Sequence, residues 1–297
     1  MKNIWRMSLP ITLLSLVLLS GCDERFPVLH PAGPVGKEEL HLIILSVILV
    51  SVVIIPVFGL LAFILIRYRD KPGNEAPYRP NWSESKWLEI VWWSIPVVIV
   101  VILGTFTVKS TFSLTKPPSN NGEPMTVEVM SLDWKWLFLY PEQGVATVNY
   151  VNIPAGRPIQ FILSSDAPMN SFWVPALGGQ EYTMPGMAMS LWLQGNEIGT
   201  YVGKGANFTG KGFSHMHFKV HVLAEGEFEK WAQQLKNKSP VLTKTGYEKL
   251  SQPSVIGTKS FSAFPVNLYK NIVMRDGGKY MHSGMVMDKI QQEGSGE

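Results

Sequence analysis

Two unbroken apolar runs dominate the first part of the chain. Leu40 to Ile66 holds no formally charged residue, with His41 at its edge, and Leu88 to Val108 holds one ionisable residue, Glu89, near its start. At a rise of about 1.5 Å per residue each run is long enough to cross a hydrocarbon layer, the first with some tilt. Pro56 and Pro96 fall inside the runs, where neighbouring groups can satisfy the carbonyls that proline frees. After a Pro- and Asn-containing linker (Lys116 to Glu123) the pattern shortens to alternating runs: PMTVEVMS, WKWLFLY, TVNYVNIP, PIQFILSS, MSLWLQ and HFKVHVL. These read as strands divided by Gly, Pro and Asn turns, and their number predicts an antiparallel sandwich or barrel. From Ala224 the spacing turns helical, with Phe228, Trp231 and Leu235 on one face of FEKWAQQL. The remainder is loop-rich and dotted with aromatics, and is expected to pack on something larger.

The N-terminus carries a processing pattern. Lys2 and Arg6 form a positive start, and the apolar run from Ile11 to Leu19 is too short to span. It ends in Leu19-Ser20-Gly21-Cys22, which resembles the lipobox of bacterial lipoproteins. By that resemblance residues 1–21 are a cleaved signal peptide, and Cys22 carries lipid on the outer side of the inner membrane. The first spanning helix then runs inward. Between the two spans lie Arg67, Arg69, Lys71, Arg79 and Lys86, and this basic excess independently places the loop in the cytoplasm. The bulk of the chain after Val108 is therefore expected in the periplasm.

Composition narrows the function. The 297 residues carry a formal net charge of +3, two of whose positives lie in the leader. No basic stripe remains to neutralise phosphates, which leaves a nucleic-acid role without support. One cysteine excludes an internal disulfide framework and any multi-cysteine metal site. A mean hydropathy of +0.10 suits a soluble part joined to a few spans.

Taken in order, the lipobox, the two spans, DWKWLFLYPEQG, NSFWVPALGGQ and YVGKGANFTGKGFSHM resemble subunit II of haem-copper oxidases, and within that family the cytochrome bo-type ubiquinol oxidases. The likeness covers essentially the whole mature chain. It implies a membrane helical hairpin with a periplasmic all-β, cupredoxin-like sandwich and a C-terminal helical or irregular extension. The expected boundaries are 22–39 for a periplasmic N-terminal segment, 40–67 and 88–109 for the membrane helices, and 68–87 for the cytoplasmic loop. A linker at 110–123, the sandwich at 124–223 and the extension at 224–297 complete the division.

Copper-bearing members of that family carry a ligand His before the first Trp/Phe block and a later YxGxCxExCGxxHxxM run. Thiolate, imidazole and thioether are the ligands that such copper needs. Here Asn170 stands at the first His position. The frame fixed by Tyr201, Gly203 and Gly210 puts Gly205 and Thr209 at the cysteine positions, Asn207 at the acidic one and Phe213 at the second His. Met216 alone is retained. The resemblance therefore implies a sandwich without its copper site and a chain without a cofactor of its own. Haems and copper are expected in the partner subunit I, with quinol as electron donor and subunits I, III and IV and membrane lipid as partners.

Other candidates are weaker. Strand alternation would send His215, His217, Lys219 and His221 to one face and Met216, Phe218, Val220 and Val222 to the other. The lysine inside the histidine stripe favours a solvated or subunit-facing surface over a metal site. Met184, Met187, Met189 and the tail YMHSGMVM are soft-metal friendly, although methionine more often fills gaps. The rival reading they support is a copper-carrying or assembly lipoprotein. Trp134 and Trp136 read as packing residues against the large subunit. Glu89 can snorkel to the interface. The stretch EIVWWSIP, however, resembles the family's second helix, where an equivalent glutamate sits at the cytoplasmic mouth of a proton channel. Glu89 is thus the expected proton-entry residue.

Overall fold

The structure, a computed structural model, describes residues 26–77, 81, 83–118 and 122–275. Helices α1 (Pro34–Arg67) and α2 (Lys86–Leu114) form a hairpin, and both are long and apolar enough to cross a membrane. Their apolar side chains point outward, Ile66 being 78% and Trp87 80% exposed. Such a surface is stable only against lipid or another subunit. Helix α1 starts ahead of the apolar run because Pro34 suits a first helical turn, where no N–H partner is needed. At the outer ends of the pair the Ser110 hydroxyl donates to Glu38 Oε1 at 2.8 Å.

The strands that follow are β1 (Met125–Leu132), β2 (Lys135–Tyr140), β3 (Val145–Val148), β4 (Tyr150–Pro154) and β5 (Ile159–Ser165). They continue as β6 (Asn170–Trp173), β7 (Gln180–Thr183), β8 (Met189–Leu193), β9 (Gly199–Gly205) and β10 (His217–Leu223). Among the described residues three helices and a strand follow: α3 (Glu225–Lys238), α4 (Lys244–Ser251), β11 (Lys259–Phe261) and α5 (Leu268–Arg275). One sheet has the order β11-β3-β2-β1-β5-β8 and the other β4-β10-β9-β6-β7. The predicted antiparallel sandwich is in fact mixed, since β1 pairs with β5 and β4 with β10 in parallel.

Between the sheets lies an aromatic core. Phe172 stacks on Phe218 at 5.1 Å, and Trp136 meets Phe172 edge-on at 5.4 Å. Each such pair contributes about 0.5–1.5 kcal/mol beyond its buried area. Trp136 is fully buried here, which corrects its expected place against a partner subunit. The sequence run TVNYVNIP reads as one strand but forms parts of two. Asn149 takes a positive φ of 60° and carries the chain from one sheet to the other. Its Oδ1 accepts the Trp136 N–H at 2.9 Å, so the break is held in place.

The C-terminal extension does not wait for a larger partner. It returns to the outer face of the six-stranded sheet, where Tyr247, Leu250, Tyr269, Ile272 and Val273 cover Met130, Leu137, Leu139 and Ile162. Strand β11 pairs with β3 and extends that sheet. The reason is visible in β2, whose six residues are buried without alternation. A strand apolar on both faces needs a layer on each. Helix α3 closes the gap at the side, placing Phe228 and Leu235 in the inter-sheet core and Trp231 at its rim.

Candidate functional site

The loop between β9 and β10 and the start of β6 bring together most of the positions that the resemblance aligns with copper ligands. Asn170 is fully buried. Its Nδ2 donates to the Met216 sulfur at 2.9 Å, while its Oδ1 accepts the Ser171 N–H at 2.7 Å and the Asn207 N–H at 3.3 Å. Gly205 lies against this amide: a Cβ there would stand 2.9 Å from both Asn170 Nδ2 and Oδ1. The Thr209 hydroxyl points at the Met216 sulfur from 3.9 Å. Asn207 turns its own amide outward and donates to Met169 O at 3.0 Å. Phe213 sits in a short 3-10 turn and meets the exposed Phe208 ring edge-on at 5.6 Å.

This set does not fit a copper centre. The thioether is engaged by an amide N–H, and glycine and phenylalanine bring no donor atom. The space a thiolate would need at 205 is bounded by the Asn170 side chain. What holds the loop is a polar network made by the protein itself.

Trp134 completes it. At a positive φ of 64° its ring lies over Gly210 and Gly212, and its indole N–H donates to Thr209 O at 3.0 Å. A Cβ on Gly212 would lie 2.4 Å from the ring. Trp134 therefore closes the loop of its own chain, which again corrects the expected packing against a partner. The glycine spacing GKG was the available signal, since a ring can lie flat only where side chains are missing.

A second junction fixes the hairpin to the sandwich. The Ala32 and Gly36 N–H groups donate to Ala176 O at 2.7 Å and Leu177 O at 3.0 Å. The Asn196 N–H donates to Ala32 O at 2.9 Å. A Cβ on Gly33 would fall 1.9 Å from Gln194 O, so only glycine admits this approach. The Glu39 carboxylate accepts the Gly179 N–H. Sequence reasoning missed both glutamates of this helix start.

Glu89 lies in the first turn of α2, and within this chain its side chain is uncovered. The helix N-terminus favours a carboxylate there. It is remote in sequence and fold from the β9–β10 loop, at the opposite end of α2 from Ser110. The histidine stripe is shorter than expected. His217 and Lys219 are exposed and His221 half-buried on β10, but His215 belongs to the 3-10 turn and leaves the strand face. His221 Nδ1 is 2.9 Å from Thr200 Oγ1. Burial, and then the Lys219 ammonium, hold its imidazole below the usual histidine range. Cys22 and the tail YMHSGMVM lie outside the described residues.

Family models match in two places: the cytochrome c oxidase subunit II transmembrane domain over residues 31–109, and the periplasmic domain of the same subunit over residues 141–223. Among curated relatives, quinol oxidase subunit 2 of Bacillus cereus is 45% identical over 88% of this chain and 91% of its own length. Cytochrome bo(3) ubiquinol oxidase subunit 2 of Pseudomonas putida is 42% identical over 81% of this chain and 76% of its own. Of solved structures, the periplasmic domain of subunit II of cytochrome oxidase (CoxB) of Bradyrhizobium japonicum is 21% identical, with a TM-score of 0.37, covering 38% of this chain and 94% of that one. A membrane hairpin, a cupredoxin-like sandwich on the periplasmic side and these relatives agree: the chain belongs to the subunit II family of haem-copper oxidases, in its quinol oxidase branch.

Proposed function

We propose that this chain is the subunit II of a proton-translocating quinol oxidase, with ubiquinol the expected donor, and that it contributes no redox centre of its own. The observation that carries the second half is the Asn170–Met216 contact with Gly205 packed against it, since these positions offer a metal no thiolate or imidazole. Electrons then enter at the haem-bearing subunit I, which reduces dioxygen to water. This chain supports that subunit through its outward-facing helices and its fixed sandwich, within an assembly that also holds subunits III and IV. Lipid on Cys22 would add an anchor on the outer side of the cytoplasmic membrane.

Glu89 is the candidate for proton entry. With the sandwich outside, the first turn of α2 faces the cytoplasm, and a group that exchanges protons with bulk water must be accessible there.

Mild-detergent purification through a tag on this chain tests the reading, with haem, copper and both oxidase activities measured. Copurified haem with quinol oxidation and no oxidation of reduced cytochrome c is the expected result. A haem-free chain that arrives alone and holds tight Cu(I) would overturn it in favour of a copper carrier. In the intact complex, Glu89→Gln should slow proton-coupled turnover while haem content stays normal; unchanged turnover would remove Glu89 from the pathway.

A further inference from the structure

The connection that leaves α1 folds into a cation-lined cavity that the proposed activity does not use. Its volume is about 360 Å³, and Arg67, Arg69 and Lys71 line it together with Phe63, Ile66 and Asn74. Asp70 and Glu75 belong to the same stretch but do not line the cavity. Among the described residues none of the three cations is in an ion pair.

Asn74 makes this convergence. Its Nδ2 donates to Arg69 O at 2.8 Å and Arg67 O at 3.3 Å. Its Oδ1 accepts from Arg67 Nη1 at 3.4 Å and from the Ala76 N–H at 3.0 Å, and its own N–H donates to Lys71 O at 3.1 Å. Gly73, at a φ of 79°, supplies the left-handed turn that brings Asn74 back over the helix end. One side chain thus ties the backbone of the basic stretch into a ring. The cavity wall on the helix side is apolar and open, with Phe63 59% and Ile66 78% exposed.

We propose that this cavity binds the phosphate headgroup of an anionic phospholipid of the cytoplasmic leaflet. The sandwich is periplasmic, so the turn between α1 and α2 faces the leaflet where anionic lipid creates a negative surface potential. Three cations around one cavity match a phosphodiester, arginine through paired N–H donors and lysine as a point charge. Phe63 and Ile66 receive the first part of the acyl chains, a contact that free phosphate cannot make. The reading depends on membrane topology and not on quinol oxidation.

Spin-labelled phosphatidylglycerol titrated into the detergent-solubilised complex tests it, with spin-labelled phosphatidylcholine as reference and the motionally restricted fraction as readout. Replacing Arg67, Arg69 and Lys71 together by glutamine should weaken phosphatidylglycerol retention about a hundredfold, roughly fivefold per cation, and leave phosphatidylcholine unchanged. Asn74→Ala keeps every charge and should still weaken retention about fivefold, the worth of about one lost hydrogen bond, because the ring opens; this variant decides the matter if the triple one fails to insert. Lys86→Gln, at the start of α2 and outside the cavity, should have no effect. Wild-type retention by the triple variant or by Asn74→Ala, or an equal loss in Lys86→Gln, overturns the site. Displacement of the label by millimolar inorganic phosphate overturns lipid as its occupant.

Discussion

The Lys135 ammonium on β2 donates to the Leu250 carbonyl oxygen at 3.0 Å, fastening the last turn of α4 to the sheet. A second bond runs to Gln252 O at 2.8 Å. A cation at a helix C-terminus satisfies carbonyls that have no partner within the helix and complements the helix dipole. Lys135→Met removes the donor and leaves the buried Leu250 carbonyl without it, while the exposed Gln252 carbonyl can turn to water. We expect a loss of about 1–3 kcal/mol, read as a lower denaturant midpoint. Hydrogen exchange should rise first in α4 and α5; unchanged protection there would show that other contacts hold the extension.

Asn170→Ala removes the acceptor for two backbone N–H groups, that of Ser171 on β6 and that of Asn207 in the β9–β10 loop. With those groups buried or half-buried, a cost of about 1–3 kcal/mol follows. The change should be local, with faster exchange at 205–216 and altered Trp134 fluorescence, because Trp134 reports on Thr209. Gly205→Ala should disturb the same residues from the other side, since the added methyl meets the Asn170 amide. A normal exchange pattern in both variants would remove Asn170 as the organiser.

Gly33→Ala should separate the hairpin from the sandwich. The added carbon meets a backbone oxygen, which cannot rotate away, so the segment must shift and lose its bonds to Ala176 and Leu177. Gly59→Ala is the control, because a Cβ there meets nothing within 4 Å. We expect the first variant to give poor yields of complex and easy proteolysis between hairpin and sandwich, and the second to behave as wild type. Equal behaviour would mean that the junction tolerates movement.

His221 should make stability depend on pH in a definite direction. Its imidazole titrates below the usual value of 6.5 in the folded chain. Between the folded and unfolded values the unfolded state binds more protons, so stability rises with pH through that window and falls again on acidification. Thermal unfolding followed from slightly acid to neutral pH should show a slope that His221→Gln reduces. An unchanged slope assigns the effect to other groups.

The helices, their direction and most core strands were legible because their signals are local. Apolar length and loop charge define the hairpin, and alternation defines strands such as β10. What escaped the sequence depends on contacts between distant residues. Asn149 looks like any strand residue until Trp136 holds it at a positive φ. The tail 239–275 looks unpartnered until β2 is seen to be apolar on both faces. Trp134 and Trp136 differ by two positions, yet one covers a glycine loop and the other fills the core. For the candidate site the sequence offered the expectation of replaced ligands at Asn170, Gly205, Asn207, Thr209 and Phe213, and the structure places all but Phe213 around Met216 or Asn170. That an amide would bond to Met216 and organise the loop depends on the close approach of β6 and β9, which spacing does not reveal.

The amide at Asn170 also bears on how the subunit is made. A loop organised by a metal reaches its final form only after folding, export and delivery of the ion, with its thiols kept reduced until then. In this chain the parts that shape the 205–216 loop are encoded and arrive together. Folding of the sandwich therefore completes the loop in one stage, with its polar network closed by the chain's own amides.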